Sequence, residues 1–414
     1  MFAYAGAMTF VSHLEASADG SVFPAGSPRT THEDQPILVR YDLARVAAAA
    51  KPEDLRGRPA SMWRYRELLP HCGDPVSLGE AMTPLIDCPR LAERLAVRRL
   101  WIKDESLLPT GSFKARGMAM AVTMARELGF EHLAAPTAGN AGAALAAYAA
   151  RAGLRCTILM PEDTPLVNRL EAHWYGARAF LVDGLIHDCG AIAQEGARRG
   201  IWFDMSTMKE PYRLEGKKTM GLELAEQLGW RLPGAIFYPT GGGTGLVGMW
   251  KAFSELRAIS WLDSATAAPR MFACQAEGCA PIVRAFEEGL VRAAPVDRPR
   301  TSASGIRVPR AFGDRMILAA IRESGGAAVG AREQRLASWV RAAMSLEGIA
   351  LCPEAAACLC GIETARQSGA LGADDEVVAF NTGSATKYVE FLAMDLPRLS
   401  AKAPDWAALE SKTP

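Results

Sequence analysis

The chain of 414 residues carries 46 basic and 46 acidic side chains, and 49% of its residues are hydrophobic. This length predicts two or three domains with room for a large core. Because the formal net charge is zero, the composition gives no reason to expect nucleic acid or an anionic membrane as a partner. No uncharged apolar run reaches the roughly 20 residues that span a bilayer, and the opening residues lack the basic start of a signal peptide. We therefore expect a soluble, cytoplasmic protein.

The cysteines are scattered along the chain, at positions 72, 88, 156, 189, 274, 279, 352, 358 and 360. An odd, unclustered set is not typical of a disulfide framework, so a reducing compartment is expected. The pair Cys358 and Cys360 has the wrong spacing for a C-x-x-C redox or zinc element. We predict that most of the cysteines are buried as small hydrophobic side chains.

The first 88 residues are predicted to form an N-terminal arm or cap rather than a catalytic unit. Residues 37–43 (ILVRYDL) have the composition of a short strand, and residues 61–70 (SMWRYRELLP) that of a short aromatic helix. Residues 83–85 (Thr-Pro-Leu) are expected to be extended, because a residue before proline avoids the helical region.

From residue 89 onward, strand-like and helix-like segments alternate. Strands are predicted at 98–105, 132–137, 155–162, 177–184 and 201–207, and two more run into turns, at 235–245 and 376–388. Helices are predicted at 113–129, 139–153, 164–176, 185–200, 216–229, 246–259 and 280–289. This alternation predicts βαβ units, a parallel sheet and a doubly wound α/β fold. The active site of such a fold lies outside the carboxyl ends of the strands.

One stretch, residues 103–121 (KDESLLPTGSFKARGMAMA), has the pattern of a reactive lysine at the start of a helix. Residues 109–111 (Pro-Thr-Gly) predict a turn, Ser112 is a candidate cap, and helical periodicity begins at Phe113. Lys114 then lies beside free amide N–H groups at the positive end of the helix dipole, where a cation is disfavoured. A neutral amine is what a Schiff-base lysine offers to a carbonyl. The alternative is a surface lysine of an ordinary helix.

The segment 238–245 (YPTGGGTG) follows an apolar strand and precedes a helix. Its glycines allow successive backbone N–H groups to surround a tetrahedral anion, and the helix N-terminus adds its dipole. No Lys-Ser/Thr pair follows, and the spacing is not G-x-G-x-x-G, so neither nucleotide-binding pattern applies. We interpret the segment as a cup for one phosphate; the alternative is a flexible turn.

Two further turns carry polar side chains. In residues 137–142 (TAGNAG), Asn140 can donate its side-chain N–H to a ligand oxygen, or it can instead cap the following helix. Residues 381–384 (NTGS) close the last predicted strand with two hydroxyl groups. A neutral hydroxyl that faces a pyridine nitrogen would leave this nitrogen unprotonated; an ordinary turn is the alternative.

Together these segments resemble the threonine synthase family of the fold-type II pyridoxal-phosphate enzymes, which are similar to the tryptophan synthase β subunit. The resemblance covers about residues 37–392. It rests on KDESLLPTGSFKARG (103–117), PTAGNAGAALAAYAARAG (136–153), STMKEPYRLEGKKTMG (206–221), YPTGGGTGLVGMWKAF (238–253), QAEGCAPIVRAFE (275–287), ASGIRVPRAFGD (303–314) and NTGSATKY (381–388). The SFKARG and GGGTG segments indicate the fold and the cofactor. The segment STMKEPYRLEGKKT indicates the threonine synthase branch of these enzymes.

The resemblance implies two doubly wound parallel-sheet domains with pyridoxal 5'-phosphate in the cleft between them. We assign residues 1–88 to the arm, 89–125 and 210–395 to the large domain, 126–209 to the small domain and 396–414 to a tail. The fold is often dimeric, so the resemblance also implies a homodimer, although the residues themselves do not determine the oligomeric state.

The resemblance also implies the roles of individual residues. Lys114 corresponds to the Schiff-base lysine, and Arg213 to a residue that holds a substrate phosphate. The implied cofactor-binding residues are Phe113, Asn140, Gly241, Gly242, Gly243, Thr244, Gly245 and Thr382. The implied substrate-binding residues are Ser112, Thr137, Ser206 and Arg213, with Lys217 or Lys218 as weaker candidates. For Arg213 and the two lysines, the alternative is an ion pair with Glu210 or Glu215.

The implied reaction converts O-phospho-L-homoserine and water into L-threonine and phosphate. Three departures from the family pattern keep other reactions open. Residues 14–26 lack the cysteines of a metal-binding ribbon, so no metal is expected; Ala355 replaces a usual glycine; and Ala385 adds a Cβ where the backbone is expected to be left-handed. The alternatives are a cysteate synthase-like β-replacement, a diaminopropionate or hydroxy-amino-acid lyase, and a non-catalytic cofactor-binding protein.

Overall fold

The computed structural model describes residues 10–70, 73–263 and 265–410. Its strands are β1 (Val11–Ala16), β2 (Val22–Pro24), β3 (Thr31–His32), β4 (Gln35–Tyr41), β5 (Leu85–Asp87), β6 (Arg99–Asp104), β7 (His132–Pro136), β8 (Arg155–Pro161), β9 (Arg178–Val182), β10 (Phe203–Asp204), β11 (Ala235–Pro239), β12 (Arg270–Ala276), β13 (Ala327–Ala331) and β14 (Glu376–Asn381). Its helices are α1 (Leu43–Ala49), α2 (Pro89–Arg94), α3 (Lys114–Glu127), α4 (Asn140–Ala152), α5 (Leu166–Trp174), α6 (Ile186–Arg198), α7 (Tyr212–Gln227), α8 (Thr244–Ala258), α9 (Pro281–Glu287), α10 (Asp314–Glu323), α11 (Glu333–Glu347), α12 (Pro353–Gln367), α13 (Val389–Leu392) and α14 (Trp406–Glu410).

The N-terminal region forms a four-stranded antiparallel sheet with the order β2-β1-β4-β3. Strand β4 confirms the strand predicted at 37–43, whereas the other three strands were not predicted. Leu14, Ile37 and Val39 are buried in the same apolar cluster as helix α3. The segment 61–70 contains a 3-10 helix (Met62–Leu68) with a kink at Tyr65, rather than a regular α-helix.

A four-stranded sheet with the order β10-β7-β8-β9 contains only parallel pairs. Helices α4 and α6 pack against β7 and β8, and α5 packs against α4 and β9. Every strand of this sheet was predicted, because each is a short apolar segment between two amphipathic helices.

The larger sheet has six strands in the order β13-β12-β11-β14-β6-β5. All pairs are parallel except the edge pair of β5 and β6, which is antiparallel. Buried apolar clusters cover both faces, one with helices α7 and α8 and the other with α11 and α12. The doubly wound α/β fold predicted from the sequence is therefore confirmed.

The sheets differ from the predicted domains at one point. Strand β5 belongs to the edge of the large sheet, although residues 85–87 fall inside the predicted N-terminal arm. The domain boundaries given above stay a prediction.

Polar contacts connect loops of the two parallel sheets. Asp163, after β8, accepts from the Arg307 guanidinium at 2.9 Å, and Glu171 of α5 pairs with Lys387, after β14. The Leu166 backbone N–H donates to the Glu390 carboxylate at 3.2 Å. These contacts form what we call the rim, which is the set of residue pairs that join the two sheets.

All eight cysteines within the described ranges are buried and free, as predicted for small apolar side chains. Cys72 lies outside these ranges. None of the described helices combines the length and the apolar character that a membrane crossing requires.

Candidate active site

Lys114 is the first residue of helix α3, as the sequence predicts. The turn before it places Thr110 and Gly111 in the left-handed region, both at a φ of 58°. This turn is hydrogen-bonded to the segment after β14: the Phe113 N–H donates to the Thr382 carbonyl at 3.1 Å, and the Ser384 N–H donates to the Gly111 carbonyl at 2.8 Å. The end of one central strand therefore fixes the start of the helix that carries the lysine.

Burial, together with the positive charge of Arg213, lowers the pKa of Lys114 to about 7, while the Glu354 carboxylate opposes the shift. Within the described ranges, no carboxylate lies at ion-pair distance from the Lys114 amine. Its Nζ instead lies 4.5 Å from the centre of the Phe113 ring. A large part of this amine is therefore neutral near pH 7, the form that attacks a carbonyl group.

Lys114 lines a cavity of about 230 Å³ between the carboxyl ends of the two parallel sheets. Pro136 at the end of β7, Pro239 at the end of β11 and Thr382 after β14 all face it. Its lining includes every predicted cofactor-binding residue, namely Phe113, Asn140, Gly241, Gly242, Gly243, Thr244, Gly245 and Thr382. A larger groove of about 800 Å³ lies beside the N-terminal sheet and contains no predicted site residue.

The glycine segment lies between β11 and α8 and is shaped by the absence of side chains. A Cβ at Gly242 would lie 2.7 Å from Thr207 Cγ2, and one at Gly241 would lie 2.8 Å from Val308 Cγ2. Gly243 has a φ of 75°, which favours glycine, and a Cβ there would lie 2.2 Å from Ile317 Cδ1. The bare backbone therefore forms a concave surface at the N-terminus of α8, which fits the phosphate of pyridoxal phosphate.

Asn140 and Thr382 both line the cavity, and neither serves as a helix cap. Gly139, not Asn140, occupies the N-cap position of α4. The Asn140 side chain donates to the Tyr388 hydroxyl at 3.4 Å and accepts from the Asn168 amide at 3.3 Å. A polar amide and a hydroxyl beside the lysine fit the polar atoms of a pyridine ring.

Three predicted substrate-binding residues do not line the cavity but lie next to its walls. Ser112 does not cap α3, and its buried hydroxyl has no hydrogen-bond partner within the described ranges. The Thr137 hydroxyl donates to the Gly139 carbonyl at 2.9 Å. The Ser206 hydroxyl donates to the Asp204 carboxylate. Thr207, the next residue, contributes to the cavity lining instead.

Arg213 is buried behind the cavity in the first turn of α7. Its Nη1 donates to the Met205 carbonyl at 2.7 Å, and its Nε lies 4.0 Å from the Glu210 carboxylate. Glu210 accepts from the N–H groups of Tyr212 and Arg213, yet burial raises the pKa of Glu210 to about 7. The expected ion pair is therefore loose, and the Arg213 charge still acts on Lys114.

The two adjacent lysines of α7 point in different directions. The Lys217 amine contacts the Phe113 carbonyl and lies 3.8 Å from the centre of the Phe113 ring. Lys218 belongs to a buried ion cluster, in which its amine pairs with Glu215 at 2.6 Å and Glu255 at 2.9 Å. The ion-pair alternative thus describes Lys218, and we do not keep Lys218 in the proposed substrate site.

A buried ionic network supports the helix that carries Lys114. The Arg116 guanidinium donates to Glu105 at 2.7 Å and pairs with Glu223 at 2.9 Å, and Lys103 also pairs with Glu223. The side chains of all four residues have no solvent exposure. Because Arg116 lies two residues after Lys114, the network fixes the first turn of α3 against β6 and α7.

Glu354 and Tyr388 are titratable cavity residues that were not predicted from the sequence. Glu354, in the first turn of α12, accepts from the Gly305 N–H at 2.7 Å and faces the cavity. Tyr388, which follows β14, also lines the cavity. Tyr388 ends the segment 381–388 and Glu354 precedes Ala355, but a pattern of residue types does not indicate which side chain reaches the cavity.

The prediction of a left-handed, strained backbone at Ala385 is wrong. Ala385 is not among the described residues with positive φ, and it begins a short 3-10 helix (Ala385–Lys387). Ala355 lies within the first turn of α12, where a methyl group is normal. Neither departure therefore distorts the backbone of the site.

The fold and this lysine-centred cavity are those of a known class of enzymes. A family model described as pyridoxal-phosphate dependent enzyme matches residues 76–383, which is more than half of the chain. Among solved structures, maize serine racemase is 18% identical, with a TM-score of 0.63 and coverage of 73% of this chain and 88% of that one. The threonine deaminase of T.th. is 25% identical, with a TM-score of 0.60 and coverage of 77% and 94%. The class is that of the pyridoxal-phosphate dependent enzymes, as expected, and pyridoxal phosphate is the cofactor.

Similar proteins define a narrower family. The threonine synthase of Methanosarcina acetivorans is 36% identical over 350 residues, which are 84% of this chain and 85% of that protein. The threonine synthase of Methanocaldococcus jannaschii is 34% identical over 354 residues, which are 85% of this chain and 86% of that protein. The chain belongs to the threonine synthase family.

Proposed function

We propose that this protein is a threonine synthase, which converts O-phospho-L-homoserine and water into L-threonine and phosphate. The observation that carries the proposal is the buried Lys114 amine, with a pKa of about 7, in a cavity that also contains the glycine cup. Membership of the threonine synthase family supports the choice of reaction. A neutral lysine amine beside a phosphate-sized backbone cup is what a covalently bound aldehyde cofactor with one phosphate requires.

Each cofactor-binding residue has a proposed role. The backbone N–H groups of Gly241 to Gly245 hold the cofactor phosphate, with Thr244 adding its hydroxyl. Asn140 holds the phenolic oxygen, Thr382 faces the pyridine nitrogen, and the Phe113 ring borders Lys114. When bound, pyridoxal phosphate supplies the electron sink that makes protons on the substrate carbons acidic.

Lys114 and Arg213 have different roles toward the substrate. The neutral Lys114 amine accepts a proton at the substrate Cα and returns protons to other carbons, as a general base and acid. Arg213 provides the positive charge for the substrate phosphate, because its planar guanidinium can pair with two phosphate oxygens. Ser112, Thr137 and Ser206 supply hydroxyl groups near this phosphate, and the buried Ser112 hydroxyl is unpartnered within the described ranges.

The direct test is product formation by the purified holoenzyme. We expect L-threonine and inorganic phosphate to appear in equal amounts from O-phospho-L-homoserine, and Lys114→Ala to abolish both. Three other mixtures are tested in parallel: O-phospho-L-serine with sulfite, 2,3-diaminopropionate, and L-serine or L-threonine. Turnover of one of these alone would refute the proposal and identify a β-replacement or lyase reaction, and a protein that binds no cofactor would leave only a non-catalytic role.

The role of Arg213 has a separate test. Arg213→Gln should raise the KM for O-phospho-L-homoserine about 10- to 100-fold, since a hydrogen bond to a charged group contributes roughly 1.5–3 kcal/mol. The matched control is Lys209→Gln, which removes a positive charge from the same segment outside the cavity lining. An unchanged KM in Arg213→Gln would show that another cation, such as Arg310 in the cavity lining, binds the phosphate.

Two wider expectations belong to the same proposal. The substrate is a small phosphorylated amino acid, and the enzyme acts in the cytoplasm as a homodimer. Sedimentation of the holoenzyme tests the dimer, and fractionation of the source cells tests the compartment.

A further inference from the structure

Glu354 is the one carboxylate among the described residues that line the cavity. It lies in the first turn of α12, where the helix dipole favours a negative charge, and only 3% of it is exposed. One oxygen, Oε1, accepts from the Gly305 N–H at 2.7 Å. The other oxygen, Oε2, is buried, and no charged group pairs with this carboxyl group in the described ranges. A buried carboxyl group without a charged partner is costly unless it has a ligand or a function.

The charged and titratable groups that surround Glu354 come from several elements. Lys114 of α3 lines the same cavity. Tyr388, from the segment after β14, and Cys352, the residue before α12, act on the Glu354 carboxyl group by hydrogen bonding. Arg213 and Lys217 of α7 act on the lysine rather than on the carboxylate. No cation lies within ion-pair distance of Glu354 in the described ranges. Lys114 and Glu354 are thus two opposite charges in one cavity, neither of which has an ion-pair partner.

These two groups can hold a proton in two ways. The pair exists either as ammonium and carboxylate or as amine and carboxyl group; the proton leaves a Glu354 oxygen and binds Lys114 Nζ, or returns, without a change in total charge. Burial raises the pKa of Glu354 above its ordinary range and lowers the pKa of Lys114 to about 7, so the proton affinities of the two groups approach each other. Burial disfavours both charges, which reduces the free-energy difference between the two forms.

We propose that Glu354 is the proton-exchange partner of Lys114, which stores the proton that the lysine gives up or needs during turnover. The proposal rests on the proposed function, in which Lys114 accepts and returns protons at substrate carbons. A single lysine that must be basic for one step and acidic for the next needs a nearby group that holds the proton in between. Glu354 is this group and needs no proton from bulk water.

The test separates proton exchange from a purely structural role. In Glu354→Gln the side-chain amide oxygen can still accept from the Gly305 N–H, but the side chain no longer titrates. Glu354→Asp keeps a carboxyl group and is the rescue variant. The control, Glu363→Gln, makes the same chemical change on the same helix at a residue that pairs with Arg335 and does not line the cavity.

Two measurements are made on each variant. The first is the pH profile of kcat with O-phospho-L-homoserine for the holoenzyme. The second is pH-dependent acetylation of Lys114 in the cofactor-free protein, followed by mass spectrometry. We expect Glu354→Gln to lower kcat about 100-fold or more with little change in KM. We also expect its Lys114 labelling midpoint to move to lower pH, because the carboxylate that stabilises the ammonium is gone. Glu354→Asp should recover part of both effects.

Three results would overturn the proposal. If Glu354→Gln behaves like the wild type, Glu354 only anchors the Gly305 loop. If kcat falls while the labelling midpoint stays in place in Glu354→Gln and Glu354→Asp, the effect is structural. If Glu363→Gln shifts the midpoint equally, the effect is not specific to the cavity. If the wild type makes no threonine but Glu354→Gln still moves the Lys114 labelling midpoint to lower pH, the proposed function is refuted and the exchange is supported.

Discussion

Replacing Lys114 by Met should stabilise the cofactor-free protein most near neutral pH and least in alkali. Folding lowers the pKa of this lysine from an ordinary 10.5 to about 7. Between these values the unfolded amine still holds a proton that the folded amine has lost, so wild-type stability rises with pH relative to the variant. At 1.36 kcal/mol per pH unit, burial of Lys114 lowers the free energy of unfolding of the wild type by about 5 kcal/mol at pH 6, about 4 kcal/mol at pH 7 and about 2 kcal/mol at pH 9.

The assay is urea unfolding of both cofactor-free proteins between pH 6 and 10, and the measured quantity is the difference in the free energy of unfolding. The free energy of unfolding of Lys114→Met should exceed that of the wild type by several kcal/mol at pH 6 to 7, and the difference should shrink steadily toward pH 10. Lys402→Met, at an exposed position of the C-terminal tail, is the control and should change nothing. A difference that is constant across this pH range would refute the inference that the folded amine is neutral.

Two further predictions concern the framework of the site. Gly243→Ala should weaken cofactor binding about 10-fold or more in an absorbance titration, because an alanine at this φ is strained and its Cβ would meet Ile317; the same affinity as wild type would contradict the proposed cup. Glu223→Gln should reduce the free energy of unfolding by about 3–5 kcal/mol at pH 7, because it leaves buried Lys103 without a carboxylate partner and leaves Arg116 with Glu105 alone. The pKa of Glu223 is lowered to about 2, so this stabilisation persists at neutral pH and is lost only as the pH falls toward 2.

The sequence predicted the parts of the site that depend on local structure. The Pro-Thr-Gly turn, the start of α3 at Lys114 and the glycine segment before α8 each follow from residues adjacent in the chain. Periodicity also located most strands of the parallel sheets, because each lies between helices with a clear apolar face.

The sequence could not predict features that depend on distant residues. Strands β2 and β3 have three and two residues, too few to show an alternating pattern, and they become strands by pairing with β1 and β4. The directions of Lys217 and Lys218 depend on the packing of α7 against α3 and α8. Glu354 acquires its shifted pKa from burial behind the Gly305 loop, about fifty residues earlier in the chain.

The two ion pairs of the rim differ in their exposure to solvent. At Asp163 and Arg307 the side chains are 57% and 20% exposed, whereas at Glu171 and Lys387 they are 24% and 4% exposed. An exposed ion pair contributes at most about 1 kcal/mol and is screened by salt, while a pair withdrawn from water is screened much less. The Asp163–Arg307 contact between the two sheets should therefore weaken as the salt concentration rises, whereas the Glu171–Lys387 contact should change much less.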